Sequence, residues 1–326
     1  MNNITNESKE INRIASLESI NIGGVEQWIS IRGNNINNPV ILMLHGGPGS
    51  CDMCMWKDYG AELEKHFIVV TWDQRGSGKS YKSLAPEEKI TIEQFISDTH
   101  ELVTTLMKRF NKEKIYLHGH SWGSVLGIKT ILKYPELFYA FAGTGQVVNS
   151  SITEKIIYDF ALTKAKALNN SEAINELEAI GAPPYSGKDS FEKSSINDKW
   201  FAKFNGYYFK GGFNEDYVKH IMAAKEYTME EKKNFSQAML NSGKLLFNEL
   251  ESINLIKEAP KLEIPVYFMI GRYDFQNLPY EKNPIENYFD ILEAPKKELV
   301  WFEESAHFPQ FEESNKFNEL LVSKLL

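Results

Sequence analysis

Gly119-His120-Ser121-Trp122-Gly123 is the stretch best equipped to do chemistry. It follows an apolar run, Lys114 to His118, and precedes a helix-like run from Ser124 to Tyr134. In a G-x-S-x-G pattern, strand, sharp turn and helix together lift a serine hydroxyl clear of a sheet. The chain on either side of such a turn passes very close, and Gly119 and Gly123 leave room because they lack a Cβ. Ser121 is therefore the candidate nucleophile. So short a pattern recurs by chance in Gly/Ser-rich loops, and the reading rests on partners elsewhere.

A serine nucleophile needs a base to take its proton and an acid to orient that base. Parallel strands bring their C-terminal ends to one edge, where such groups can meet. Asp274 follows the apolar run Ile264 to Ile270, and His307 follows Glu298 to Phe302 ahead of the last helix-like run. The order Ser, Asp, His is that of the α/β-hydrolase architecture. Asp290 is a rival acid, less well placed because it lies within a helical stretch. Of the seven histidines, only His307 has both order and context. His45 and His118 flank strand ends and read as structural hydrogen-bonding groups. His120, inside the turn, is expected to point away from the hydroxyl, and His66, His100 and His220 are expected at the surface. Two backbone N–H groups must face the developing oxyanion. Trp122, next after the nucleophile, offers one. Gly47, in His45-Gly46-Gly47-Pro48-Gly49, offers the other, since Pro48 has no N–H.

These groups need a sheet to position them. Leu17 to Ile22 and Val25 to Ile31, joined by Gly23-Gly24, read as a hairpin. Val40 to Leu44 and Phe67 to Thr71 read as strands buried on both faces. Met53 to Lys65 and Thr91 to Phe110 read as helices, and Tyr139 to Gly145 as a further strand. This alternation is the mark of a parallel sheet with covering helices. Residues 148–260 break it. They read as amphipathic helices at Glu154–Leu168, Ser171–Ile180, Glu215–Ala224, Met229–Leu240 and Leu245–Leu255, with an aromatic stretch from Trp200 to Phe209. That block is expected to be a mainly helical cap inserted after the sixth strand. The aromatic stretch reads equally as cap core or as a cover over substrate. The division is core over 1–147, cap over 148–260 and core again over 261–326, with closing helices at Pro284–Leu292 and Ser314–Leu326.

The bulk numbers exclude several functions. The chain has 326 residues, 42% hydrophobic and 25% charged, with a net charge of −8. No basic patch offsets that balance, so nucleic acid is not an expected partner. No run of about 18 apolar residues could span a membrane. The start is polar and Asn-rich, unlike a signal peptide, and the cytoplasm is the expected location. Cys51 and Cys54 form a C-x-x-C, but no second cysteine pair completes a zinc site. They read as a reduced, structural pair. The chemistry requires no metal or organic cofactor.

Three motifs carry a family resemblance: His45-Gly46-Gly47-Pro48-Gly49, Trp72-Asp73-Gln74-Arg75-Gly76-Ser77-Gly78-Lys79-Ser80 and Gly119-His120-Ser121-Trp122-Gly123-Ser124. Together they resemble the proline iminopeptidase (prolyl aminopeptidase) family of α/β-hydrolases, over residues 15–145 and 260–326. The resemblance implies an α/β-hydrolase fold with a mostly parallel sheet. It implies Ser121 as nucleophile, Asp274 as acid, His307 as base, and Gly47 and Trp122 as oxyanion donors. Asp73 and Arg75 match loop residues that support the site without reacting. The implied activity is release of an N-terminal residue, such as proline, from short peptides. The family holds the substrate's free amino terminus with cap carboxylates, often a glutamate beside a tryptophan. Here Trp200 is followed by Phe201. The candidate acids are Glu176, Glu178, Asp198, Glu215, Asp216 and Glu226. The competing readings are a carboxylesterase or other small-acyl hydrolase, and a non-catalytic binding protein on the same scaffold.

Overall fold

The structure, a computed structural model, describes residues 12–85, 89–210, 213–274 and 283–326, and for 213–216 the backbone alone. Its centre is β3 (Val40–Leu44), whose five residues are all buried. Successive side chains of a strand point to opposite faces. Val40, Leu42 and Leu44 accordingly enter one apolar cluster, and Ile41 and Met43 the other. A strand apolar on both faces belongs in the middle of a sheet covered on both sides.

The sheet has eight strands in the order β1-β2-β4-β3-β5-β6-β7-β8. β1 (Ile14–Ile22) and β2 (Val25–Gly33) form an antiparallel hairpin at one edge, and β2 pairs antiparallel with β4 (Ile68–Asp73). From β4 onward every pairing is parallel, through β5 (Ile115–His120), β6 (Phe138–Thr144), β7 (Val266–Gly271) and β8 (Lys297–Phe302). The chain runs from β3 outward to β4, then returns to the other side of β3 for β5. That reversal is a topological switch point, and it opens a crevice at the C-terminal ends of β3 and β5. The His45 loop and the Ser121 turn leave those two ends.

α2 (Ile92–Phe110) and α3 (Trp122–Lys133) cover one face through residues such as Phe95, Leu102, Leu106, Val125 and Ile128. α1 (Met53–Tyr59) and a C-terminal helix, Ser314–Leu325, cover the other through Met55, Trp56, Phe317 and Leu321. Sequence sets the limits of α2. The Thr91 side chain accepts from Gln94 N–H at its start, and Asn111, in the left-handed region at φ 51°, ends it.

Between β6 and β7 lie α4 (Ser150–Ala167), α5 (Ser171–Ile180), α6 (Ser190–Lys203), α7 (Phe213–Ala223), α8 (Met229–Glu251) and α9 (Leu255–Glu258). Two expectations are corrected here. α8 is one helix where Met229–Leu240 and Leu245–Leu255 were read as two. Its buried side, Ala238, Ser242 and Leu246, runs at helical spacing through the Asn-Ser-Gly sequence that reads as a break. α6 was not anticipated. It is mostly polar and buries only Asn197, Trp200 and Phe201, so it carries little periodic signal. Tyr158, Ala161, Ala165, Ala173, Leu177 and Trp200 form a separate small core inside this block. Among the described residues, no helix is long and apolar enough to cross a membrane.

The hairpin, the loop after β4 and α2 meet at a buried ion pair. Arg75 Nε donates to Asp98 Oδ2 at 3.0 Å, with both side chains almost inaccessible. Gln27 and Gln94 also donate to Asp98, and Arg75 reaches Gly23 O. Removing one partner of a buried pair leaves an uncompensated charge. We expect Asp98→Ala to lower the unfolding free energy by about 3–5 kcal/mol in urea denaturation.

Candidate active site

Ser121 terminates β5 and precedes the first turn of α3. Its backbone sits at φ 54°, ψ −119°, a conformation costly for a residue with a side chain. The turn is over-determined by its surroundings. A Cβ on Gly119 would lie 2.2 Å from Gly123 O, and one on Gly123 would lie 2.2 Å from Leu44 O. Both positions therefore admit only glycine. Ser121 N–H donates to Thr144 O at 3.0 Å, and Ser124 Oγ donates to Ser121 O at 2.6 Å. Ser121 keeps part of its surface open while its four neighbours in the motif are buried.

Asp274 lies just after β7 and His307 after β8. His307 Nδ1 donates to Asp274 Oδ2 at 3.0 Å, with both side chains buried. That bond leaves Nε2 as the acceptor of the neutral ring. Ser121 and His307 line the same cavity. Among the described residues no hydrogen bond joins them, and in ligand-free sites such bonds are often long. His120 turns its ring against His307, with centroids 4.8 Å apart, and also lines the cavity. It is thus closer to the reacting groups than a residue pointing away from the site. Burial drives its pKa well below the usual histidine value, which keeps it uncharged beside His307.

Gly47 and Trp122 stand on the same cavity wall as Ser121. Trp122 is the first residue of α3, where a backbone N–H has no intrahelical carbonyl to bond. Gln74 ties the two loops together. Its Nε2 donates to His45 O at 3.3 Å, and its Oε1 accepts from Trp122 Nε1 at 2.9 Å. His45 Nε2 accepts from Gln74 N–H at 3.1 Å, and Nδ1 lies 2.7 Å from Gly46 O. Burial lowers the pKa of His45 to about 4, and that of His118 to about 3. Both are neutral scaffold groups. His220 is half-buried against Tyr59, and His100 against Tyr134. Asp73 is buried and accepts from Lys79 N–H and the Tyr227 hydroxyl. Cys51 and Cys54 are free and buried, and desolvation pushes the Cys54 thiol up to about 12.

The cavity above Ser121 holds about 650 Å³. The helical block supplies most of its walls, with Ile157, Phe191, Phe235, Met239, Phe247 and Leu250 among the apolar ones. The aromatic stretch divides between its two roles. Trp200 and Phe201 are buried, Trp200 in the small core, whereas Tyr207 and Tyr208 line the cavity.

Of the candidate cap acids whose side chains are described, only Asp198 lines the cavity. Glu176 is held by Lys199 and the Trp200 indole, Glu178 pairs with Lys166, and Glu226 pairs with Lys57. The side chains of Glu215 and Asp216 lie outside the described residues. Besides Asp52 beside the Gly47 loop, two further acids line the cavity that sequence reasoning missed, Glu154 on α4 and Glu251 at the end of α8. Both Glu154 carboxylate oxygens are buried, and among the described residues no donor other than a protonated Glu251 carboxyl reaches them. Glu251 lies close enough to bond to Glu154, which two carboxylates can do only by sharing a proton. Burial first, then this bond and the charge of Glu154, push Glu251 up to about 8. A signal for both was present. Glu154 falls in register with the buried Tyr158, Ala161 and Ala165 of α4, and Glu251 follows Gly243 and Phe247 at four-residue steps.

Comparison with known proteins agrees with this arrangement. The α/β-hydrolase fold family matches residues 39–179. The chain is 34% identical to the probable aminopeptidase YbaC of Bacillus subtilis (strain 168), over 94% of this chain and 95% of that protein. The chain belongs to the proline iminopeptidase-like family of α/β-hydrolases. It is also 25% identical to a proline iminopeptidase of Saccharolobus solfataricus, over 89% of this chain and 85% of that one. Among solved structures, a proline iminopeptidase-related protein of Thermus thermophilus superposes with a TM-score of 0.68 at 19% identity, covering 96% of this chain and 97% of that one. That likeness is one of fold.

Gly145, just past β6, tests how closely this family member's site is packed. A Cβ there would lie 2.7 Å from His307 Cε1 and 3.0 Å from His120 Cε1. Gly145→Ala must displace the imidazole. We expect turnover at this site to fall about 100-fold, a loss typical of a misplacement near 1 Å, and steady-state kinetics would check it.

Proposed function

We propose that the protein is a serine aminopeptidase that releases an N-terminal residue from short peptides through an acyl-enzyme. His307 Nε2 takes the Ser121 proton as Oγ attacks the carbonyl carbon. The Gly47 and Trp122 N–H groups receive the oxyanion. His307 then protonates the leaving amine and activates the water that hydrolyses the ester. Asp274 holds the imidazole with Nδ1 protonated.

The observation that carries the aminopeptidase reading is the carboxylate pair of Glu154 and Glu251 in a largely apolar cavity. A buried acid and a half-buried one that share a proton and, among the described residues, lack a cationic partner are poorly satisfied alone. A substrate ammonium supplies both a charge and donors, and the shared proton leaves as it binds. The name of the Bacillus subtilis relative supports the same reading. The apolar walls favour a second one, hydrolysis of small acyl esters with no amine requirement.

Ser121→Ala is expected to abolish turnover of every substrate and labelling by a fluorophosphonate. Unchanged turnover would remove Ser121 from the mechanism. Paired substrates separate the two readings. Glu154→Gln and Glu251→Gln should each raise KM for aminoacyl arylamides about 10- to 100-fold, the worth of a charge-assisted hydrogen bond. Their KM for acyl nitrophenyl esters should stay within about threefold. Equal effects on both substrates, or cleavage of esters alone by the wild type, would favour the esterase.

A further inference from the structure

We propose that Asp198 and Tyr207, both from the helical block, form a positioning pair for His307, in which the Asp198 carboxylate favours the imidazolium formed when Ser121 attacks. This rests on the serine-hydrolase reading of the site, and goes beyond it in making the block part of the base's support.

The connection is physical at each step. His307 N–H donates to Tyr207 O at 3.1 Å, a main-chain bond between the helical block and the loop after β8. The Tyr207 ring lies against the His307 ring, with centroids 5.5 Å apart. The Tyr207 hydroxyl donates to Asp198 Oδ1. Asp198 is set on α6 two residues before the buried Trp200, so its helix is anchored. A second tie holds the same stretches of chain together. Glu312 accepts from Phe209 N–H through Oε1 and from Ala306 N–H through Oε2, both at 2.8 Å.

The groups facing His307 are few. Asp274 meets Nδ1, His120 lies uncharged on one side, Phe308 borders the ring, and Tyr207, bonded to Asp198, lies against it. Asp198 lines the cavity and is solvent-exposed there. Desolvation raises its carboxyl, and the Tyr207 hydroxyl and the charge of His307 act against that rise. An ionised Asp198 carboxylate would therefore act as a counter-charge to the imidazolium formed when Ser121 attacks. Asp274 fixes the ring through Nδ1, and Asp198, bonded to the Tyr207 hydroxyl, adds charge without touching the reacting atoms. Asp198 is thereby distinguished from Glu154, whose partner is the Glu251 carboxyl.

The test compares wild type, Asp198→Asn and Tyr207→Phe. Tyr207→Phe retains the ring and the main-chain carbonyl that His307 bonds. Ser121 labelling by a fluorophosphonate is timed, and kcat and KM are measured on an amine-free acyl ester and an aminoacyl arylamide. The proposal expects Asp198→Asn to slow labelling and lower kcat about tenfold on both substrates, with KM within about twofold. Tyr207→Phe should act in the same direction to a smaller extent, and the double variant should be no worse than Asp198→Asn alone. Labelling at the wild-type rate overturns the proposal, as does a loss confined to KM for the aminoacyl substrate, which would make Asp198 an amine anchor. If Asp198→Asn does not fold by thermal melting, Tyr207→Phe decides. If wild-type Ser121 does not label at all, the serine-hydrolase reading falls first and this proposal with it.

Discussion

The backbone of Ser121 is the constraint on which the rest of the arrangement depends. A side-chain-bearing residue at φ 54°, ψ −119° persists only where its surroundings leave no alternative. The switch point provides that setting. Gly123 presses on the Leu44 carbonyl at the end of β3, and Gly119 on the Gly123 carbonyl. Gln74 then holds the His45 loop and the Trp122 indole in register. The strain at Ser121 is therefore borne by β3 and β5, the centre of the sheet, where apolar burial on both faces is greatest. A surface loop could not carry it.

The helical block serves the site in a different way. The sheet fixes directions, and the block fixes environment. It encloses Ser121 in a largely apolar cavity, and the acids it contributes are Glu154, Glu251 and Asp198. Charge in such a place interacts more strongly than at the surface and costs more when unmatched. On the proposed reading, a cavity built this way selects by charge as well as by shape. On that reading, an amine-bearing substrate relieves a mismatch that a neutral one leaves in place.

Much of this was legible in the sequence because it depends on local chemistry. The five apolar residues of β3 and the glycines around Ser121 mark a buried strand and a sharp turn wherever they occur. The Ser–Asp–His order carries meaning because parallel strands share an edge. The block was less legible. α6 buries little, so its helical period is weak, and the break expected within α8 gave way to contacts made from outside it. Of the chosen acids with described side chains, Glu176, Glu178 and Glu226 pair with lysines. Glu154 and Glu251 lie near the two ends of the block, and what marks them is a glutamate in phase with an apolar stripe. Which stripe faces a cavity and which faces a core is a property of tertiary packing, and periodicity alone does not distinguish them.

Glu251 carries one further consequence, for how this protein can change. Its folded-state pKa of about 8 stands above the ordinary value of 4.5. The folded chain thus holds a proton that the unfolded chain releases, and this group's contribution to stability declines as pH rises from about 4.5 to about 8. A neutral side chain at position 251 would escape that decline. Selection for heat resistance alone would therefore favour discarding the carboxylate, whereas selection on aminopeptidase turnover, on the proposed reading, would retain it. The cavity is a place where robustness and specificity are in direct competition, and laboratory evolution under one pressure should erode the other there first.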